Sequence, residues 1–250
     1  MRYFIELAYD GSAYHGWQRQ PNGVSIQSTL EDALRTLLGH PVVVVGAGRT
    51  DAGVHARQIF AHIDLIEAVE ENFAYRLNQF LPKDIAVRQI HHVNDAAHAR
   101  FDAVSRSYEY HLTTTKNPFL VSYAYAFGKN LDMAAMNQAA ALLINHTDFK
   151  CFSKSKTDVK TYDCDITHAE WTCMGSDWVF SISANRFLRN MVRAIVGTLI
   201  EVGLKKMSIE DFQTVLRSRS RSEAGFSVPA HGLYLTHVVY PNTIFVDHAT

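Results

Sequence analysis

What this chain has little of excludes a good deal. Only three of its 250 residues are cysteines (Cys151, Cys164 and Cys173), an odd number, and none stands in a C-x-x-C arrangement. That disfavours a disulfide framework or a zinc site and fits plain thiols in a reducing compartment. No apolar run approaches the ~20 residues a membrane helix needs, and the interrupted start MRYFIELAYDGSAYHGW does not suit a signal peptide. A soluble, cytoplasmic protein is therefore expected. Charge of one sign is also missing. With 24 Lys and Arg against 25 Asp and Glu, the net charge is −1, so a polyanionic partner must meet a local basic patch rather than a general field. Absent too are G-x-S-x-G, a Walker lysine, H-E-x-x-H and the deaminase pairing of H-x-E with C-x-x-C. Gly46-Ala47-Gly48 begins like a dinucleotide fingerprint, but Asp51 takes the third glycine's place, where an anion repels pyrophosphate. His91 and His92, adjacent on an expected strand, point to opposite faces and make no metal pair. Metal-free chemistry centred on a carboxylate is what remains.

Hydrophobic residues make up 47% of the chain and charged residues 20%, ample for a sizeable core and unlike disordered or collagen-like chains. At roughly 150 residues per domain the length allows one or two domains. Tyr3 to Tyr9 reads as a strand, followed by the turn Asp10-Gly11-Ser12 and a polar stretch from His15 to Gly23. Ile26, Leu30, Ala33, Leu34, Leu37 and Leu38 recur at helical spacing between the caps Ser25 and Gly39. Val42 to Val45 suggests a strand buried on both faces, and alternation from Gln58 another strand. A helix near 69–79 and a strand near 85–92 complete the first half. The second half carries strand signals at 104–114, 164–173 and 178–184, with helices near 131–143, 187–203 and 208–217. Interleaving without strict βαβ alternation predicts an α+β fold, mainly antiparallel sheet covered by helices. The hinge is placed near residue 102, giving halves of 1–102 and 103–250.

Chemistry concentrates in two places. In Gly48-Arg49-Thr50-Asp51-Ala52-Gly53-Val54-His55, glycines surround a carboxylate just past a buried strand, leaving room for another molecule near the backbone. Such a carboxylate suits nucleophilic or base chemistry, or else a plain Asx turn. In the second place, Arg186, Arg189 and Arg193 fall on one face of the expected helix, opposite Leu188, Met191, Val192, Ile195 and Leu199. Arg193 is the most sheltered of the three and wants a carboxylate or phosphate partner, and Gly197 one turn on leaves space for a close approach. From Arg186 to Arg221 eight basic side chains stand against Glu201, Glu210 and Asp211, with Arg217, Arg219 and Arg221 the densest part. This asymmetry points to polyanion phosphates. Tyr14, Trp17, Gln18, Arg19 and Gln20 suit stacking and base-edge contacts, or strand-edge packing. Tyr108 and Tyr110 share a strand face, as packing tyrosines or as a ring near the carboxylate.

Taken in order, Tyr9-Asp10-Gly11, Tyr14, Gly16-Trp17-Gln18-Arg19-Gln20, Gly48 through His55, Arg106-x-Tyr108-x-Tyr110, Phe187-Leu188-x-x-Met191-Val192-Arg193 and Gly232-Leu233-Tyr234-Leu235 resemble a tRNA pseudouridine synthase of the TruA type. The resemblance spans nearly the whole chain. It implies an enzyme using no cofactor and no metal that isomerises uridine to pseudouridine in the anticodon stem-loop of tRNA. It further implies two ferredoxin-like halves sharing one extended sheet, helices on one side and the active cleft between them, in a homodimer whose subunits both touch one tRNA. Carried onto this sequence, Asp51 becomes the essential carboxylate. Whether it attacks ribose C1′, adds to uracil C6 or removes the C2′ proton stays open. Arg193 becomes its salt-bridge partner, with Gly197 letting the Asp51 loop come close. Tyr108 stacks on the uracil and assists proton loss from C5. Arg49 displaces the target nucleotide or holds its phosphate. Arg186 and Arg189, ahead of Arg217, Arg219 and Arg221, track the RNA backbone. Leu233 and Leu235 pack near the cleft, one of them facing it. The competing expectation is a tRNA-binding protein that remodels RNA without chemistry, needing the arginines but not Asp51.

Overall fold

The computed structural model describes residues 1–154 and 159–246. The chain forms two compact units, Met1–Val104 together with the stretch from Leu235 onward, and Ser105–Tyr234. A single hinge near residue 102 does not describe this division, because the end of the chain returns to the first unit.

The first unit contains β1 (Arg2–Tyr9), α1 (Ile26–Leu38), β2 (Val45–Gly46), β3 (His55–Asp64), α2 (Phe73–Asn78) and β4 (Ile85–Val93). The second contains β5 (Ser105–Thr113), β6 (Tyr125–Ala126), α3 (Met133–Ile144), β7 (Ile166–Met174), β8 (Asp177–Ala184), α4 (Met191–Gly203) and α5 (Ile209–Ser218). A last strand, β9 (Leu233–Val239), begins in the second unit and continues into the first. The α+β class with mainly antiparallel pairing is as expected. Among the described residues no helix is long and apolar enough to cross a membrane.

In the first unit β1 is central, antiparallel to both β3 (Phe4↔His62, Glu6↔Phe60) and β4 (Phe4↔His91, Glu6↔Gln89). The expected helix α1 forms because its ends are specified as well as its face. Ser25 and Ser28 make a reciprocal capping box, Gly39 closes the C-terminus at φ +77°, and Ile26, Leu30, Ala33 and Leu34 are buried. Burying each larger side chain contributes about 1.5–3 kcal/mol. The valine run does not behave as expected. Only Val45 and Gly46 pair with β3, and Val43 is exposed between buried Val42 and Val44. Side chains of α1 take over the backbone of Val44 instead, Glu31 Oε1 accepting its N–H at 3.3 Å and Gln27 Nε2 donating to its carbonyl at 3.0 Å. The helix expected over 69–79 shrinks to α2. Asn78 then bonds both backbone groups of Val87 at 2.7 and 2.8 Å, docking the helix end on β4.

His62, buried on β3, accepts from the Ala99 N–H at 3.2 Å through Nδ1. Burial, with Arg2 and His98 nearby, pushes its imidazole down to about 4. The folded protein thus resists protonation of a group that the unfolded chain protonates near 6.5. Its contribution is complete above pH 6.5 and lost as pH falls toward 4, on the order of 2 kcal/mol. Carboxylates held low, such as Asp64 hydrogen-bonded to Arg2, give up theirs only below the ordinary carboxylate range. Urea unfolding across this window is expected to lose stability in the wild type and much less in His62→Gln.

In the second unit β8 lies between β5 and β7, antiparallel to both, and two residues of β6 pair parallel to β5. Trp171, Phe180, Phe149, Phe152 and Phe212 anchor the core. The expected helix over 187–203 starts only at Met191, because Asn190 sits at φ +65°. Asn is one of the few residues that tolerates this region, and its Nδ2 donates to Ser227 Oγ at 2.7 Å. Residues 186–190 are therefore not helical, and Arg186 and Arg189 share no helix face with Arg193. Apart from Arg193 and Glu201, every residue of α4 is buried, so it is a core helix rather than a basic amphipathic one.

Candidate active site

The loop between β2 and β3 is built from its backbone outward. Ala47 N–H donates to the Phe60 carbonyl at 2.7 Å, ending the strand pairing. Thr50 is held twice, by a 2.8 Å hydrogen bond between its Oγ1 and the Tyr9 hydroxyl and by the Trp17 N–H on its carbonyl at 3.3 Å. Past Asp51, Val54 N–H closes a turn onto the Asp51 carbonyl at 3.2 Å, and Gly53 at φ +79° donates to the Tyr14 carbonyl at 3.3 Å. The segment bearing Tyr14 and Trp17 lies against the loop so closely that a Cβ on Gly16 would stand 2.3 Å from the Thr50 carbonyl oxygen. At the far end, buried His55 accepts from the Gly11 N–H at 3.1 Å through Nδ1, which lies 3.0 Å from an Asp10 carboxylate oxygen. Asp51 is half-buried in this frame. Arg49 is exposed and makes no ion pair among the described residues.

Tyr14 and Trp17 are buried and offer no open ring face to a base. The Trp17 ring fills the space a Cβ on Gly46 would need. Tyr14 donates to Asp84 Oδ1 at 2.6 Å, and burial together with that carboxylate raises its phenol above the ordinary range. Both are floor to the loop. By contrast, a Cβ on Gly48 meets nothing within 4 Å, and its φ is not positive. We expect Gly48→Ala to leave stability within about 0.5 kcal/mol in thermal melts. Gly16→Ala should be strongly destabilising, since it combines a clash with a positive φ.

In the second unit, Arg193 is half-buried on α4 and donates through Nε to the Val228 carbonyl at 2.7 Å, while its own carbonyl accepts from the Val228 N–H at 3.2 Å. The buried Tyr110 hydroxyl holds the next carbonyl, that of Pro229, at 3.0 Å. One helical turn along, a Cβ on Gly197 would lie 1.8 Å from the Phe226 carbonyl oxygen, and the Gly225 N–H donates to Thr198 Oγ1 at 2.9 Å. Gly197 thus admits the backbone of 225–228, a strap of its own unit. Arg221 fastens the same strap, donating to the Gly225 carbonyl and to Ser227 Oγ, each at 2.9 Å.

The remaining sequence candidates divide by how they are engaged. Arg219, at φ +53° past α5, pairs with Asp148 at 3.0 Å. Arg186 donates to the Thr161 hydroxyl and carbonyl at 3.3 and 3.4 Å. Arg189 and Arg217 are exposed. Part of the basic cluster is therefore spent on its own fold. Tyr108, half-buried on β5, meets the Phe187 ring edge-on at 5.1 Å between centroids. Leu233 and Leu235 are both buried and, two apart on β9, lie on the same side of the strand. Sequence reasoning missed Tyr9 and Thr50 as anchors and Asn190 with Ser227 as the stop before α4. The tolerance of asparagine for positive φ was the one available signal for Asn190. Among the described residues, no group of three His, Cys, Asp or Glu is placed to hold a metal ion.

Comparison with known proteins fixes the family. A family model described as tRNA pseudouridine synthase matches residues 7–102 and 139–241, segments that include the Asp51 loop and Arg193. The tRNA pseudouridine synthase A of Porphyromonas gingivalis is 53% identical over 250 residues, covering 98% of this chain and 99% of that protein. That of Bacteroides thetaiotaomicron is 53% identical over 250 residues, covering 98% and 93%. That of Bacillus subtilis is 39% identical over 247 residues, covering 97% and 100%. The chain belongs to the tRNA pseudouridine synthase A family, and it is an isomerase. The non-enzymatic expectation is thereby set aside.

Proposed function

We propose that this enzyme isomerises uridine to pseudouridine in the anticodon stem-loop of tRNA, with Asp51 as the essential carboxylate and Arg193 as its salt-bridge partner. The observation that carries the reading is the double anchoring of Thr50, which fixes the backbone immediately before a half-buried carboxylate. Preorganisation of this kind is what carboxylate chemistry on a bound nucleotide requires. In the reaction the N1–C1′ bond of uridine breaks and a C5–C1′ bond forms. A proton leaves C5 and one is gained at N1, with no net redox change, so the chemistry calls for no cofactor. The target base must leave the stack first, at a cost of a few kcal/mol.

The ionised carboxylate of Asp51 serves three routes equally, namely attack on C1′, addition to C6 or removal of the C2′ proton. Arg193, oriented by its bond to Val228, neutralises and aims that carboxylate. Tyr108 stacks on the uracil and assists proton loss from C5. Arg49 takes the place vacated by the base or holds its phosphate. Arg186 and Arg189 follow the RNA backbone, and Leu233 packs at the site. The enzyme acts in the cytoplasm as a homodimer on one tRNA.

Release of tritium to water from tRNA labelled at uridine C5 tests the activity. The purified wild type is expected to release it, and failure with unmodified tRNA overturns the reading. Arg193→Lys keeps a charge but loses the planar fork that serves the Val228 carbonyl and a carboxylate together. It should lower the turnover rate by about ten- to a hundredfold while leaving the tRNA Kd within a few fold. Equal loss of both would make Arg193 an ordinary phosphate contact.

A further inference from the structure

Between the segment that follows Trp17 and the first turn of α1 lies an open depression of about 470 Å³ lined by Gln18, Arg19, Gln20, Pro21 and Gln27. Its walls are held in place before anything binds. Gln27 Oε1 accepts from Gln18 Nε2 at 2.8 Å and from the Arg19 N–H at 3.0 Å. Gln27 Nε2 donates to Glu31 Oε1 at 3.1 Å and to the Val44 carbonyl at 3.0 Å. Gln27 is thus fully committed, and it orients Gln18, whose carboxamide keeps an acceptor oxygen and one N–H unspent. Gln20 anchors its amide on the His15 carbonyl at 2.9 Å, and a bridge between Gln20 and Gly23 closes the loop around Pro21. Arg19, two-thirds exposed, meets Glu31 Oε2 at 3.1 Å. Glu31 is fixed through its other oxygen, Oε1, which accepts from Gln27 Nε2 and the Val44 N–H, and Arg19 spends one N–H on Oε2, leaving the rest of its guanidinium fork for an anion.

The contents of this wall select a ligand. It offers a guanidinium and carboxamides but no open aromatic face, since Trp17 and Tyr14 are buried beneath the Asp51 loop. A base has nothing to stack on here. A phosphate matches the guanidinium, and a ribose 2′-hydroxyl, donor and acceptor at once, matches a carboxamide. Position connects the depression to the reaction, because Gln18 directly follows Trp17, whose N–H holds the Thr50 carbonyl. We infer that Gln18, Arg19, Gln20 and Gln27 form a sugar–phosphate subsite for a nucleotide adjacent to the one extruded toward Asp51. The inference rests on the tRNA-modifying reading above and adds a sequence-independent grip on RNA.

The test is equilibrium binding of the full-length protein to unmodified tRNA across a salt series. Losing one phosphate contact should reduce the slope of log K against log salt by about 0.7–0.9. Arg19→Gln is expected to show that reduction and to weaken binding by a similar factor for tRNAs of different sequence, with Arg19→Lys restoring the slope. In stem-loops carrying single 2′-deoxy substitutions, one position should weaken wild-type binding but not that of Gln18→Leu. An unchanged slope in Arg19→Gln, or no deoxy position whose effect Gln18→Leu removes, overturns the subsite. Tritium release by the wild type is read separately, so a failed subsite and a failed activity remain distinct results.

Discussion

Replacing Asp51 by alanine is expected to lower tritium release from C5-labelled tRNA by roughly a thousandfold or more, with tRNA still bound. The size of the effect follows from what the side chain does and what it does not do. The loop backbone is carried by other groups, namely the Tyr9 hydroxyl on Thr50, the Trp17 N–H on the Thr50 carbonyl and the Tyr14 carbonyl on Gly53. None of these uses the Asp51 carboxylate. Truncation should therefore leave the loop backbone held, and thermal melts of the variant check that it folds. Removal of a group that takes part in bond making or proton transfer generally costs several orders of magnitude in rate. Asp51→Asn should fail as completely, because it keeps the shape and loses the charge. Release at the wild-type rate in either variant would remove the carboxylate from the chemistry.

Gly197→Ala is expected to destabilise the protein by about 3 kcal/mol or more, measured by urea unfolding. Helix propensity argues the other way, since alanine inside a helix is favoured over glycine by about 1 kcal/mol. The strap decides the sign. The new Cβ would fall 1.8 Å from the Phe226 carbonyl oxygen, well inside contact, and that neighbour is backbone with no side chain to swing away. Relief requires the strap to lift from α4, which breaks Gly225 N–H to Thr198 and both Arg193–Val228 bonds. Overpacking costs about 1–3 kcal/mol and each such bond about 0.5–1.5 kcal/mol, so the losses outweigh the helical gain. Displacement of Arg193 should also depress turnover in whatever fraction stays folded. A more stable Gly197→Ala would contradict the close approach of the strap.

β1, α1 and β5 were legible because local signals agree, as in α1 with Ser25, Gly39 and a buried stripe. Val42 to Val45 misled because a short apolar run does not distinguish strand pairing from a segment whose backbone is satisfied by side chains, here Glu31 and Gln27. The helical wheel through Arg186, Arg189 and Arg193 failed for a different reason. Periodicity extends a helix through any compatible residues, whereas Asn190 stops it by a bond to Ser227, which is 37 residues away. The same limit applies to Arg221 and Arg219. Their charges count toward a basic patch in the sequence, yet their partners lie on the Gly225 carbonyl, Ser227 and Asp148. For the candidate site, the string around Asp51 was visible, but its anchoring by Tyr9 joins residues 41 apart and is set by the tertiary fold. Motifs name the reacting groups, and long-range hydrogen bonds determine which of them are held still.

The most direct test of the account is pseudouridine mapping in tRNA from cells lacking this protein and complemented with either the wild type or Asp51→Ala. The account predicts that pseudouridines of the anticodon stem-loop disappear in its absence, return with the wild type and stay absent with Asp51→Ala expressed at equal level. Their return with Asp51→Ala, or their persistence without the protein, would contradict it.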